Sequence, residues 1–123
     1  MFHKIGAVLY ALWGALHLLA AFEGYRLATS VDAGAVQGRL MQNAWNIGFF
    51  ALVALVVAVT MNWQNSPTGY WINLIAVSAA DIGFILFVLL PGHIAVWPGI
   101  LGPVVWILAV IFSTIGLTME RAV

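Results

Sequence analysis

One carboxylate, Asp81, stands inside an apolar run from Tyr70 to Leu90, YWINLIAVSAADIGFILFVLL. Crossing a bilayer takes about 20 such residues, so the run is long enough to span. An ionisable group at membrane depth is costly, and such groups mark proton relays, ion paths or ligand contacts. Its natural partner is His17, the imidazole inside the first long apolar run. In a dry setting a carboxyl and an imidazole can exchange a proton with a bound molecule, which is general acid–base chemistry. Asp81 and His17 are the candidate catalytic pair.

A second set of polar side chains could hold a substrate. Arg39, Gln42, Asn43 and Asn46 recur at i, i+3, i+4 and i+7, which puts them on one helical stripe. An amide without a partner in hydrocarbon costs about 4–8 kcal/mol on the alkane scale, so this stripe should face protein or water. Glu23 lies near the end of the first run, and Arg26 three residues on can pair with it. Trp13 and Trp106 sit deep enough to line a pocket. The candidate substrate-binding residues are therefore Asn46, Asn43, Gln42, Glu23, Arg39, Trp13 and Trp106. Ser78, three residues before Asp81, can share its site. The tryptophans at 63, 71 and 97 suit an interfacial belt.

Metal and cofactor chemistry finds no support. There is no cysteine, which excludes disulfides, thiolate metal sites and thioether haem attachment. Axial haem ligation needs two histidines at compatible depths, and His3, His17 and His93 fall at three different ones. A metal set on His17, Asp81 and Glu23 lacks the second histidine of a facial triad. No phosphate-binding glycine loop or zinc-protease helix is present. No metal site is expected, and the sequence leaves the identity of any cofactor unknown.

The elements that must position these residues follow from composition. The chain has 123 residues, of which 64% are hydrophobic and 7% charged, with a mean hydropathy of +1.08. A soluble domain would carry about 25% charged residues. Zero formal net charge gives no basic face for nucleic acid. Four spans are expected, at about 5–28, 39–61, 70–90 and 100–119, forming a single four-helix transmembrane domain. The first opens like a signal peptide, but its apolar run is about twice the usual length, so it is expected to stay as a helix. On it Tyr10, Trp13, Gly14, His17, Ala21 and Gly24 share one face. Asp32 could cap the second span. Pro91-Gly92 ends the third. Gly102, Trp106, Ala109, Ser113 and Gly116 make a packing seam on the fourth, and Glu120 and Arg121 close the chain at the interface.

Short loops between four spans give an all-α integral membrane fold: an up-down bundle with both termini on one side, here side A. Glu23, Arg26, Asp32, Arg39, Gln42, Asn43 and His93 then gather on side B. Lys4 and Arg121 on one side balance Arg26 and Arg39 on the other, so the positive-inside rule favours neither orientation. At about 1.5 Å per residue, Asp81 lies roughly 14 Å and His17 roughly 16 Å below side B. Asn46 and Glu23 come out near 10 Å and 8 Å by the same rise. The expectation is a polar funnel open at side B with a His17–Asp81 floor.

Three functions would use such a funnel. One is a pocket that binds, or acts on, a small lipophilic molecule. Another is a small oligomeric transporter or channel with Asp81 as its titrating coupling residue. The third is a non-catalytic accessory subunit of a membrane complex. Toward side A only Thr60, Asn73 and Ser113 offer polar groups, which ranks the closed pocket first. The expected partners are the lipid bilayer, a small lipophilic ligand, and either copies of the chain or a membrane complex.

Overall fold

A computed structural model describes residues 1–120; Arg121, expected at the interface, lies outside the described residues. Helix α1 runs Phe2–Thr29 and α2 runs Ala35–Thr60. A 3-10 turn, Asn62–Gln64, leads to α3, Pro67–Phe84, which continues as a π-helical stretch, Ile85–Leu89. A short α4, Val96–Gly99, precedes α5, Leu101–Met119. The described residues contain no strand. Four segments are long and apolar enough to cross a membrane: Phe2–Thr29, Ala35–Gln64, Pro67–Leu89 and Leu101–Met119. They match the expected spans to within a few residues. The largest departure is α2, which begins at Ala35 behind Gly34 with no side-chain cap, so Asp32 does not cap it.

Local chemistry explains the boundaries. Ser66 caps α3 by accepting the Gly69 N–H at 3.4 Å, with Pro67 in the first turn, where a missing donor costs little. Asn65 turns the chain in the left-handed region (φ 55°) and donates its side-chain amide to the Gly116 carbonyl at 2.9 Å. Ser30 and Thr29 hydroxyls donate back to Leu27 and Arg26 carbonyls at the end of α1.

Helix α1 is central: it packs most extensively against α2 and α5, while α3 bridges α2 and α5. Small residues set the α1–α5 approach. A Cβ on Gly6 would stand 2.2 Å from Ser113 Oγ, and one on Gly116 would stand 2.6 Å from the His3 backbone nitrogen. Without a driving force from water, close backbone packing of this kind is what holds helices together in lipid. Between α2 and α3, Asn73 donates to the Ala54 carbonyl at 3.2 Å and to Asn62 Oδ1 at 2.7 Å. Between α3 and α5, Tyr70 meets Thr114 at 3.0 Å, and Trp106 donates to Ser78 at 2.9 Å. Tyr10, Trp13, Ala54, Ala58, Val77, Val105 and Ala109 form the buried core.

The ends of the described chain meet. Glu120 accepts the Met1 ammonium and the Phe2 N–H, the latter at 2.6 Å, and lies against His3 Nδ1. The ammonium hydrogen bond, then His3, hold the Glu120 carboxyl well below the usual carboxylate range, at about 2.

Register places the start of α5 low in the bundle. A Cβ on Gly102, the second residue of α5, would be 3.0 Å from His17 Cε1. Yet α1 continues from His17 to Thr29, about twelve more residues or ~18 Å of helix. Over that length α1, α2 and the end of α3 enclose space that the fourth span leaves empty. The segment around α4 covers it.

Candidate functional site

Asp81 is fully buried, at 0% exposure. Trp13 Nε1 donates to its Oδ2 at 2.9 Å. Its other oxygen, Oδ1, lies 3.3 Å from His17 Nε2, but the approach is not aligned as a hydrogen bond and Oδ1 has no other partner. His17 is held twice. Its ring stacks on Trp13 at 3.7 Å with an 18° interplanar angle, and Nδ1 sits 2.9 Å from the Trp13 carbonyl oxygen. That carbonyl can only accept, so Nδ1 carries a proton and Nε2 is the nitrogen that faces Asp81. One further proton makes the contact favourable: an imidazolium donating to a carboxylate, or a carboxylic acid donating to a neutral ring.

Trp13 and His17 are one helical turn apart on α1, and this spacing produces both the stack and the carbonyl contact. Asp81 comes from α3, against the first turn of α5 at Gly102; a Cβ there would be 3.9 Å from Oδ1. The absence of that Cβ lets α5 begin directly over the His17 ring.

Above the pair is a cavity of about 940 Å³. Binding pockets for drug-sized ligands run roughly 300–1,000 Å³. Helix α1 contributes His17 and Glu23 to its wall, and α2 contributes Asn43, Asn46 and Phe50. Across from them Gly83, Phe84, Phe87 and Val88 come from α3 and its π-helical end, and Ile94, Pro98 and Gly102 from the cover and α5. The polar side chains thus lie on the α1–α2 wall and the facing wall is apolar.

The sequence candidates divide accordingly. His17, Glu23, Asn43 and Asn46 line the cavity, and Asp81 and Trp13 stand directly behind His17. Arg39 and Gln42 do not line it: both are exposed, and Arg39 donates to Gln42 at 3.0 Å. Arg39 lies about one turn before Asn43, toward the outer end of the stripe, and Gln42 one residue before it, about 100° round the helix. Trp106 does not line it either, because its N–H is committed to Ser78 on the α3–α5 contact. That same bond occupies Ser78, which does not join Asp81. Glu23 and Arg26 pair at 3.2 Å as their spacing implies, with both side chains more than half exposed. His93 is exposed in the loop after α3. Reading the sequence missed Trp13 as the donor to Asp81, and Gly102 as the close wall of the pair. Spacing carries no signal for a contact between Trp13 and Asp81, 68 residues apart.

Among the described residues no group of three or more metal-ligating side chains comes together. In length and composition the chain is that of a multi-pass membrane protein. No family model, curated protein or solved structure matches it.

Proposed function

We propose that the chain is a single four-helix transmembrane domain that binds a small lipophilic molecule in this cavity and exchanges one proton with it through His17 and Asp81. The observation that carries the reading is the juxtaposition of a largely apolar cavity with the His17–Asp81 contact at its inner end. His17 is the group a ligand would touch. Asp81 sets the charge on His17 from behind, and Trp13 orients both. In a dry site such a pair can supply or remove a proton at a polar atom of the ligand.

The bundle is read as up-down with both termini on side A. Support comes from the register of Gly6 with Ser113, Gly116 with His3 and Gly102 with His17, and from the Met1–Glu120 contact. The cavity then opens toward side B. Beneath the pair, Tyr10, Val77, Val105 and Ala109 belong to one buried core, which favours a closed pocket over a through-path for transport.

Native mass spectrometry of gently solubilised protein tests the reading. The wild type should retain a small hydrophobic mass, and Asp81→Asn and His17→Gln should lose it while remaining folded. A wild-type spectrum with no such mass, or equal retention in both variants, overturns it.

A further inference from the structure

The charge layout of the cavity goes further and, resting on the pocket reading, names the class of ligand. We infer that the occupant is a lipophilic monocation, such as a protonated amine on an apolar body. Glu23 is in the cavity wall, and the described residues lining it include no lysine or arginine. Arg26 pairs with Glu23 from outside the cavity, with side-chain exposures of 65% and 56%. An exposed pair of this kind is screened and weak, so the Glu23 carboxylate is free to accept a better-buried cation.

The rest of the site agrees in sign. Asn43 and Asn46 line the wall beside Glu23 with no side-chain hydrogen bond of their own, and their amide oxygens can accept from an ammonium. Phe50, Phe84 and Phe87 line the same cavity, and aromatic rings attract cations within about 6 Å of a ring centre. Deeper in, Asp81 Oδ1 is fully buried without an aligned partner and faces His17 and Gly102, both in the cavity wall. Two features of opposite sign are already matched. A positive charge on His17 is met by Asp81, and so is the positive end of α5, whose first turn lies against Oδ1 at Gly102. An anionic ligand would meet Glu23 with no lysine or arginine among the described lining residues to answer it.

The test compares two probes of nearly equal shape and opposite charge, tetraphenylphosphonium and tetraphenylborate, on the purified full chain by native mass spectrometry with a concentration series. Tetraphenylphosphonium should bind at one site per chain and tetraphenylborate should not. Glu23→Gln should weaken the phosphonium about tenfold, the size expected for losing one nearby opposite charge at a partly screened site. Arg26→Gln should strengthen it, an effect that a merely damaged fold would not produce. Equal binding of both probes, preference for the borate, or indifference to Glu23→Gln overturns the inference. Where no phosphonium binds but a neutral lipophilic mass is retained and then lost in His17→Gln, the cation assignment fails and the pocket stands. Where neither probe nor any mass is held, both fail.

Discussion

Replacing Trp13 with phenylalanine removes the one aligned hydrogen bond that the described residues give the Asp81 carboxyl. The indole N–H reaches Oδ2 at 2.9 Å, and both residues are 0% exposed. Hydrogen bonds between membrane helices contribute only about 0.6 kcal/mol on average, with a maximum near 1.7, because the partners find substitutes when separated. Bonds to charged groups in soluble proteins contribute about 1.5–3 kcal/mol. Both groups are fully buried, so the pair should sit near the top of the membrane range, at about 1.5 kcal/mol. The single Trp13→Phe variant should lose more, about 2–3 kcal/mol, since it also thins the stack on His17 and leaves space in the core. A double-mutant cycle with Asp81→Leu removes that packing contribution. Unfolding of the four proteins in mixed micelles, followed by helical circular dichroism, measures it. A coupling of about 1.5 kcal/mol is roughly a tenfold change in the folding constant. Additivity within about 0.5 kcal/mol would mean the bond contributes nothing, and the account of how Asp81 is held would be wrong.

Two other sites give independent checks. Gly116→Ala puts a Cβ within 2.8 Å of the His3 nitrogen, Cα and Cβ; it should cost about 1–3 kcal/mol by forcing α1 and α5 apart. Gly38→Ala on α2 meets nothing within 4 Å and should be neutral or stabilise by up to about 1 kcal/mol; equal effects of the two in the same unfolding assay would refute the seam. The Glu120 contact should respond to acid. Its folded value of about 2 lies below an unfolded value of 4.5, so its contribution is in place above about pH 4.5 and is lost as pH falls toward 2. Amide exchange at the first turn of α1 should therefore quicken over that window in the wild type, beyond its ordinary pH trend, and Glu120→Gln should already be fast at neutral pH. Matching profiles in the two proteins would show that the carboxylate does not hold the chain ends together.

The helices were legible because each is an unbroken apolar run punctuated by Ser66-Pro67, Pro91-Gly92 and the polar loop after Thr29. Depth was legible too: a fixed rise per residue brings His17 and Asp81 to one level, and they lie 3.3 Å apart. Facing directions were only half legible. The stripe Arg39, Gln42, Asn43 and Asn46 turns with α2, and Asn43 and Asn46 line the cavity whereas Arg39 and Gln42 do not. Nothing in the spacing of one helix says where its neighbour will take up that turn. Trp106 illustrates the same gap: an indole N–H has one donor, and its partner Ser78 was equally able to bond Asp81.

The start of α5 falls within one residue of the expected Ile100, but its level against α1 explains why a cavity exists. A fourth span counted from Ile100 at the membrane surface would have filled the bundle along its whole length. Instead Gly102 lies beside His17, deep in the bundle. The residues between Leu90 and Ile100, with Pro91, Gly92 and Pro98 among them, cannot continue the helix of α3 and serve as a cover. In lipid, such irregular backbone is tolerated only where it is buried in protein or lines a cavity. The same register puts the first turn of α5 at the level of Asp81. A carboxyl at membrane depth needs donors. Trp13 supplies one from α1, His17 can supply another, and the end of α5 supplies a dipole of the right sign. The level at which α5 begins therefore accounts for both the empty volume and the acid at its inner end.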